Sequence, residues 1–525
     1  MKPATEGLPQ ESEVMSNPIR LERLDAVRSR FLNPHVPVTV FANTGVPIQE
    51  EGLDQLQEFL GLQETLVSLR DQERGGHIPP FWGDSPGTIE SVVVTPDFHR
   101  GGGIPVGVVV EARGFVIPAA IGNDICCGMR LLTTDVTQAE LEPHLDALGH
   151  RLREIFFQGQ RNIPMSPKQR EALLRDGLWG LHETMGDNGS TGLWRYYDPR
   201  QQAEDLLRVH FQGVLPARET FGFGDYIKAS GNVDGRDPQI GSVGGGNHFV
   251  ELQVVDEIQD GPTAHTWGLS RGNVSIMAHS GSLGLGHMVG GHYVGKAHSL
   301  FPRTGMHHPS HGFYVLPTGG PHAAQAREYL DAMRNAANFA FANRLCLGLM
   351  VVRALSEVLG RVVGSSLVYD APHNLIWENG DTYRHRKGAC PAPGPSMGTF
   401  EYTGHPVIIP GSMGSASYVL AGEGNEGALC SACHGAGRGL TRGQAAHVPQ
   451  GTFERDVAPL RVITAIDPES PQVRGRQDIL GRYRQRLLEE APGAYKNITP
   501  VVQTVEDAGI ARRVVRLSPI MTVKG

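Results

Sequence analysis

The stretch Cys430-Ser431-Ala432-Cys433-His434 sets two thiols and an imidazole at Cys-x-x-Cys-His spacing. That spacing serves four chemistries: a c-type haem tether, a redox dithiol, part of a zinc site, or a working histidine beside incidental cysteines. Other reactive side chains recur in short glycine-rich clusters. Asp124 and Cys127 stand beside Gly122 and Gly128, Asn247, His248 and Glu251 follow Gly244–Gly246, and His279 precedes His287 and His292. His373 and Asn374 form a further cluster. A carboxylate, a thiolate and three imidazoles suffice for two divalent metals, with the sulfur able to bridge them. A metal pair can clamp an in-line phosphoryl displacement. From ligand types alone zinc comes first and manganese is the less obvious expectation. Each histidine taken singly also has a bland reading as a core or capping residue.

The elements that must position these groups are legible in outline. Apolar residues at three and four spacing predict helices over residues 52–72, 138–157, 166–177 and 322–360. Strands are predicted in "SVVVTP", "IPVGVVVEA", "GFVIPAA", "NHFVELQVV", "VSIMAHSG", "HPVIIPGS" and "ASYVLAG". They do not alternate one to one with helices, so the expected class is α+β. The 67 glycines cluster beside polar residues, where a missing side chain lets backbone N–H groups approach an anion or a metal shell.

Composition bounds the rest. The 525 residues carry 47 Lys and Arg against 55 Asp and Glu, a net charge of −8, so the total does not mark a polyanion binder. Residues 471–525 reverse this, with ten Lys and Arg against five Asp and Glu. Six cysteines, two of them adjacent at Cys126 and Cys127, are too few for a disulfide framework. The start "MKPATEGLPQESEVMSNPIR" has acids and prolines where a signal peptide needs a basic end and an apolar run. The apolar stretch near 343–364 is interrupted by Arg353, Glu357 and Arg361. A cytoplasmic, reduced protein without a membrane segment is expected, which weighs against haem attachment.

In order along the chain, "PDFHRGGGIPVG", "GNDICCGMR", "GGGNHFVE", "HSGSLGLGH", "HRKGA", "PGSMGSASY", "CHGAGRGLTR", "EAPGAYKN" and the terminal "VKG" resemble the RtcB family of RNA-splicing ligases. The likeness covers about residues 90–525. It implies one large α+β body around a central dinuclear metal pocket, with residues 1–50 an amino-terminal arm and lead-in and 51–525 the catalytic domain. It also implies a GTP-dependent RNA ligase that joins 3′-phosphate or 2′,3′-cyclic phosphate ends to 5′-hydroxyl ends through a histidine–GMP intermediate. The implied cofactors are two Mn2+ per site and GTP. The implied partners are RNA with broken ends and an archease-type activator, with no membrane and no haem.

By the same resemblance His434 is the nucleophile, and Cys430 and Cys433 become packing neighbours. Asp124, Cys127 and His248 form one manganese shell, and Cys127, His279 and His373 the other. Cys126 is read as a small buried neighbour. The guanylate falls to Asn247, Glu251, His373 and Asn374, to the loop Pro410, Gly411, Ser412 and Met413 with Ser415 and Ser417, to His434, Gly435, Ala436 and Gly437, and to Tyr495 and Lys524. Lys387, Arg438 and Arg442 are assigned to phosphates. Asp97 and His99 are expected to orient their neighbours rather than to ligate metal.

Two departures fall on the substrate side. The family usually reads HSGSRG where this chain has Leu283, and HRKGATRA where this chain has Cys390 and Pro391 after Ala389. The alternative reading is therefore a metal-dependent RNA end-processing phosphoesterase, or a paralogue with altered end preference.

Overall fold

The computed structural model describes residues 20–187, 191–228, 239–302, 312–396, 398–445, 447 and 451–525. Most of the amino-terminal arm lies outside the described residues. The chain folds as the α+β body that the sequence predicts, around two large and mostly antiparallel sheets.

The first sheet has seven strands, in the order Leu21–Arg23, Arg28–Phe31, Val38–Phe41, Thr88–His99, Val106–Arg113, Thr382–Lys387 and Asn374–Asn379. Its first three strands come from the lead-in before residue 50. In the second sheet the order is Ser365–Pro372, Gly128–Thr137, Asn273–Ser280, Phe249–Ile258, Ala511–Val523, Ser417–Gly422 and Pro406–Ile409, with Val462–Ile463 added in parallel to Ala511–Val523. A two-stranded ribbon pairs Ala389–Pro391 with Ser431–Cys433.

Register decides where the site falls. Gly128 pairs with both Ser280 and Pro372, and Phe249 with His279, so Cys127, His248, His279 and His373 come together at one end of four adjacent strands. Thr522 pairs with Glu251, which brings Lys524 to the same end. In the seven-stranded sheet Asn374 pairs with Lys387, and His99 with Val106. Antiparallel neighbours thus carry side chains far apart in sequence to a common edge.

The helix Ala323–Leu359 fixes that edge from behind. It is long and apolar enough to cross a membrane by length and composition, but its most apolar window is 94% buried inside the protein. The polar residues within it grip the loops. Asn343 accepts from the Gly241 and Ser242 N–H groups and donates to the Gly281 carbonyl, while Asn338 and Asn335 both donate to Leu174. Arg344 bonds the carbonyls of Cys126 and Ser280 and pairs with buried Asp370, which Arg130 also meets. These anchors give partners to backbone groups of the loops that carry the site, as burial requires.

Some elements differ from expectation. The strand predicted over 114–120 is only Phe115–Val116, followed by a 3-10 turn Pro118–Ile121, because Pro118 brings no N–H to a ladder. The helix predicted over 52–72 is two, Glu50–Leu60 and Leu62–Arg74, joined at Gly61. The helix from 166 extends to Thr184 across a break at Gly177, whose φ of 64° favours glycine. Helices Leu283–Leu300, Gln477–Glu489 and Ile498–Asp507 were not predicted.

Candidate active site

A cavity of about 510 Å³ opens where the two sheet ends face each other. Five donor groups meet at its floor, four of them lining it and His248 just behind. Cys127 Sγ lies 3.2 Å from both His248 Nε2 and His279 Nε2, His279 Nε2 lies 3.3 Å from His373 Nε2, and His248 Nε2 lies 2.8 Å from Asp124 Oδ2. Donors that share one cation at about 2.0–2.3 Å sit roughly this far apart. Imidazole nitrogens facing each other and a thiol, without enough protons to bond them all, are poorly matched to one another and well matched to a cation. Asp124 Oδ1 is buried and has no hydrogen-bond partner among the described residues. The donor set therefore fits a metal: among the described residues Cys127, His248 and His279 lie close enough to share one cation, with Asp124 adjoining through His248 and His373 through His279.

Electrostatics agree with this fit. Burial, and then the crowding of other histidines, push His279 and His373 well below the usual histidine range, which leaves neutral lone pairs. The Asn247 backbone accepts from the His279 ring and so fixes its tautomer. Burial and the Asp124 carboxylate push the Cys127 thiol far up, a penalty that a cation reverses when it displaces the proton. Cys126 adopts a left-handed φ of 57° and is fully buried, its carbonyl held by Arg344.

His434 enters from the other side. It follows the strand Ser431–Cys433, which is steered by Arg386 through the Ser431 hydroxyl and the Leu429 and Cys430 carbonyls. Its Nδ1 lies 2.6 Å from Asp97 Oδ2, and its backbone N–H reaches the same oxygen at 3.3 Å. The His434 ring centroid is 4.6 Å from that of His373 and 6.4 Å from that of His279. Asp97 reaches this place because pairing between Thr88–His99 and Val106–Arg113 breaks after Val94 and resumes at His99, a bulge that re-aims the intervening residues. Burial alone would raise the Asp97 carboxyl, yet His434 and the Thr95 hydroxyl hold it below its ordinary value. Gly437, at φ 76°, lets the loop after His434 run against the Asp97 backbone, where a Cβ would collide. Cys433 is buried and Cys430 half-buried, both as free thiols, and the Cys390 thiol donates to the Cys433 carbonyl at 3.3 Å.

Beyond the donor floor the cavity is shaped for a larger group. Glu251 receives Thr522 Oγ1 and, at 2.6 Å, Gln253 Nε2, and burial raises its carboxyl to about 7. Lys524 Nζ donates to the Gly246 carbonyl at 2.7 Å, and burial lowers it to about 8. Tyr495, the loop Pro410–Met413 and Gly435–Gly437 also line the space, as do Asn247 and Asn374. Ser417 does not. Its hydroxyl accepts from Gln253 and from the Gly411 N–H, so it shapes the loop from beneath. His248 likewise stands behind the wall.

The three residues assigned to phosphates are placed differently from one another. Arg442 is exposed at the rim, 3.9 Å from Glu490. Arg438 spends its donors on Glu490, the Tyr495 hydroxyl and the Leu440 and Glu489 carbonyls, and Lys387 Nζ donates to Gly102 and Ile104. Leu283 is not on the cavity wall, and its Cδ2 lies over Gly244. Sequence reasoning missed Glu490, a buried carboxylate that collects Tyr495, Arg438 and Lys524, although it opens the quoted block "EAPGAYKN". It also missed Gln49, whose amide donates to the Arg438 and Gly439 carbonyls from the lead-in.

Comparison with known proteins agrees in extent. Residues 83–525 match the family described as tRNA-splicing ligase RtcB. The tRNA-splicing ligase RtcB of Pyrobaculum aerophilum is 34% identical, over 88% of this chain and 93% of its own length. The protein of the same name from Thermococcus kodakarensis is 33% identical, over 97% of this chain and all of its own. The RNA-splicing ligase RtcB of Mycobacterium bovis is 33% identical, over 84% and 98%. With the match running through both sheets, the donor cluster and the His434 loop, the chain belongs to the RtcB family.

Proposed function

We propose that this protein is an RNA ligase that joins RNA ends carrying a 3′-phosphate or 2′,3′-cyclic phosphate to 5′-hydroxyl ends, with GTP as the activating nucleotide. The observation that carries the reading is the Asp97–His434 pair, which faces the Cys127, His279 and His373 donors across one cavity. Asp97 accepts from Nδ1 and leaves the His434 Nε2 lone pair as the nucleophile toward the α-phosphorus of GTP. The bond from the α-phosphorus to the bridging oxygen breaks, pyrophosphate leaves with the electron pair, and the guanylate now on His434 passes to the RNA 3′-phosphate before the 5′-hydroxyl displaces it.

Asp124, Cys127, His248, His279 and His373 would hold two divalent cations, manganese by family resemblance. When bound, these supply Lewis-acid neutralisation of phosphoryl oxygens. Glu251 offers acceptors suited to the N–H edge of guanine, Tyr495 a flat apolar face, and Lys524 a charge beside them. Arg442 at the rim suits incoming RNA phosphates. The alternative, a phosphoesterase without nucleotide transfer, gives no use to the His434–Asp97 pair or to the groove around Glu251. Incubation with α-labelled GTP and manganese, followed by denaturing electrophoresis, tests the proposal. A covalent, acid-labile protein–GMP band is expected, and its absence with metal bound refutes the ligase reading.

A further inference from the structure

Asp97 aligns two imidazoles with two different groups. Its carboxylate takes His434 Nδ1, and its backbone carbonyl lies 2.8 Å from His99 Nδ1. A carbonyl oxygen only accepts, so Nδ1 of His99 carries the proton and Nε2 keeps its lone pair. Among the described residues His99 Nε2 has no hydrogen-bond partner, and His99 lines the cavity beside Arg100 and Gly101. Burial, with the nearness of His434 and Lys496, lowers its conjugate acid to about 4 and keeps the ring neutral. Lys496 holds this arrangement by donating to the Pro96 and Phe98 carbonyls on either side of Asp97.

The other basic groups in the cavity have partners or belong to the donor set, in which Asp124 Oδ1 and His373 Nδ1 are without a hydrogen-bond partner among the described residues. His279 and His373 turn Nε2 toward each other, and His279 also toward Cys127. His434 is the nucleotide carrier in the reading above. Glu251 receives Thr522 and Gln253 and has its remaining lone pairs assigned to guanine in the reading above, while the oxygens of Glu490 receive Arg438 and Tyr495. The joining reaction, however, must remove a proton from an alcohol.

We propose that His99 is the general base of the sealing step, its Nε2 accepting the proton of the RNA 5′-hydroxyl as that oxygen attacks the guanylylated 3′-phosphate. The bond that forms joins O5′ to the 3′-phosphorus. The bond that breaks joins that phosphorus to the bridging oxygen of GMP, which departs with the electron pair, and the proton ends on His99. Low basicity keeps the site unprotonated until substrate arrives, and the phosphates that come with the RNA raise proton affinity locally.

The inference rests on the ligase reading, and the test keeps the two apart. His99→Gln retains a side-chain donor for the Asp97 carbonyl but offers no basic nitrogen, and His99→Ala opens space for added imidazole. Each variant is loaded with labelled GTP and mixed with 3′-phosphate and 5′-hydroxyl RNA in a single turnover. The expected result is normal protein–GMP and normal transfer to the RNA 3′-phosphate. Sealing is slowed by about 10²- to 10⁴-fold, so that 3′-guanylylated RNA accumulates, and imidazole partly restores joining in His99→Ala. Sealing at the wild-type rate by His99→Gln overturns the proposal. Loss of protein–GMP formation in both variants also overturns it, because His99 would then serve the Asp97–His434 pair instead. Absence of protein–GMP in the wild type would count against the ligase reading itself.

Discussion

Asp97 Oδ2 sits 2.6 Å from His434 Nδ1, inside a bulge of one sheet and at the end of a strand from another part of the chain. The contact sets which ring nitrogen carries the proton. An acceptor at Nδ1 keeps the proton there and presents Nε2 as a lone pair.

Asp97→Asn is expected to remove that preference, because an amide can donate to Nδ1 and move the proton to Nε2. Formation of the protein–GMP band should fall by about 10²- to 10⁴-fold, the span of a lost acid–base partner. Metal content, measured by atomic absorption, should stay at the wild-type level. His434→Ala should abolish the band with metal likewise unchanged.

Cys127→Ala should lose metal and protein–GMP together, since one sulfur lies within 3.2 Å of two imidazoles from different strands. Cys126→Ala, Cys430→Ala and Cys433→Ala should keep both. Guanylylation lost in Cys430→Ala or Cys433→Ala, with the fold intact by circular dichroism, would return a metal or redox role to the Cys-x-x-Cys pair.

Nucleotide binding should depend on pH through Glu251 and Lys524. The Glu251 carboxyl is raised to about 7, so lowering the pH through that value protonates it and removes an acceptor for guanine N–H groups. Lys524 is lowered to about 8 and loses its charge as the pH rises through that value. GTP affinity measured by calorimetry should therefore be highest between these limits. In Glu251→Gln the acid limb should disappear, while the alkaline limb remains.

Arg344→Met should destabilise the protein by about 3–5 kcal/mol, because it leaves the fully buried Asp370 with Arg130 alone and frees the Cys126 and Ser280 carbonyls. A clear drop in Tm is expected, with metal affinity falling as well. An unchanged Tm would mean that Arg130 alone suffices to pair Asp370.

Leu283→Arg should leave protein–GMP formation unchanged, since Leu283 lies off the cavity wall. A guanidinium there offers a fork of donors to phosphate, and a charged hydrogen bond contributes about 1.5–3 kcal/mol, or roughly 10- to 150-fold. Single-turnover joining at matched protein–GMP levels should rise within that range. Equal joining by both forms would end the idea that this position shifts end preference.

The amino-acid sequence by itself determined the reactive inventory and its family. Asp124, Cys127, His248, His279, His373 and His434 each sit in a block whose order along the chain is readable without coordinates. It also determined the α+β class, because β-branched runs and the long apolar periodicity near 322–360 are local signals. Only the tertiary structure decided which lone pair of which imidazole faces the cavity, since that depends on partners far away in sequence: Asp97 lies 337 residues from His434. The strand Gly128–Thr137 escaped notice although it stands between the strands that carry His279 and lead to His373, because it is buried on both faces and shows no alternation. Arg344 escaped for a related reason. One charged residue in an apolar helix reads as an interruption until Asp370, the Cys126 carbonyl and the Ser280 carbonyl are found around it. Periodicity reports which face of an element is buried, but register and hydrogen bonding across the fold decide what each polar group on that face can do.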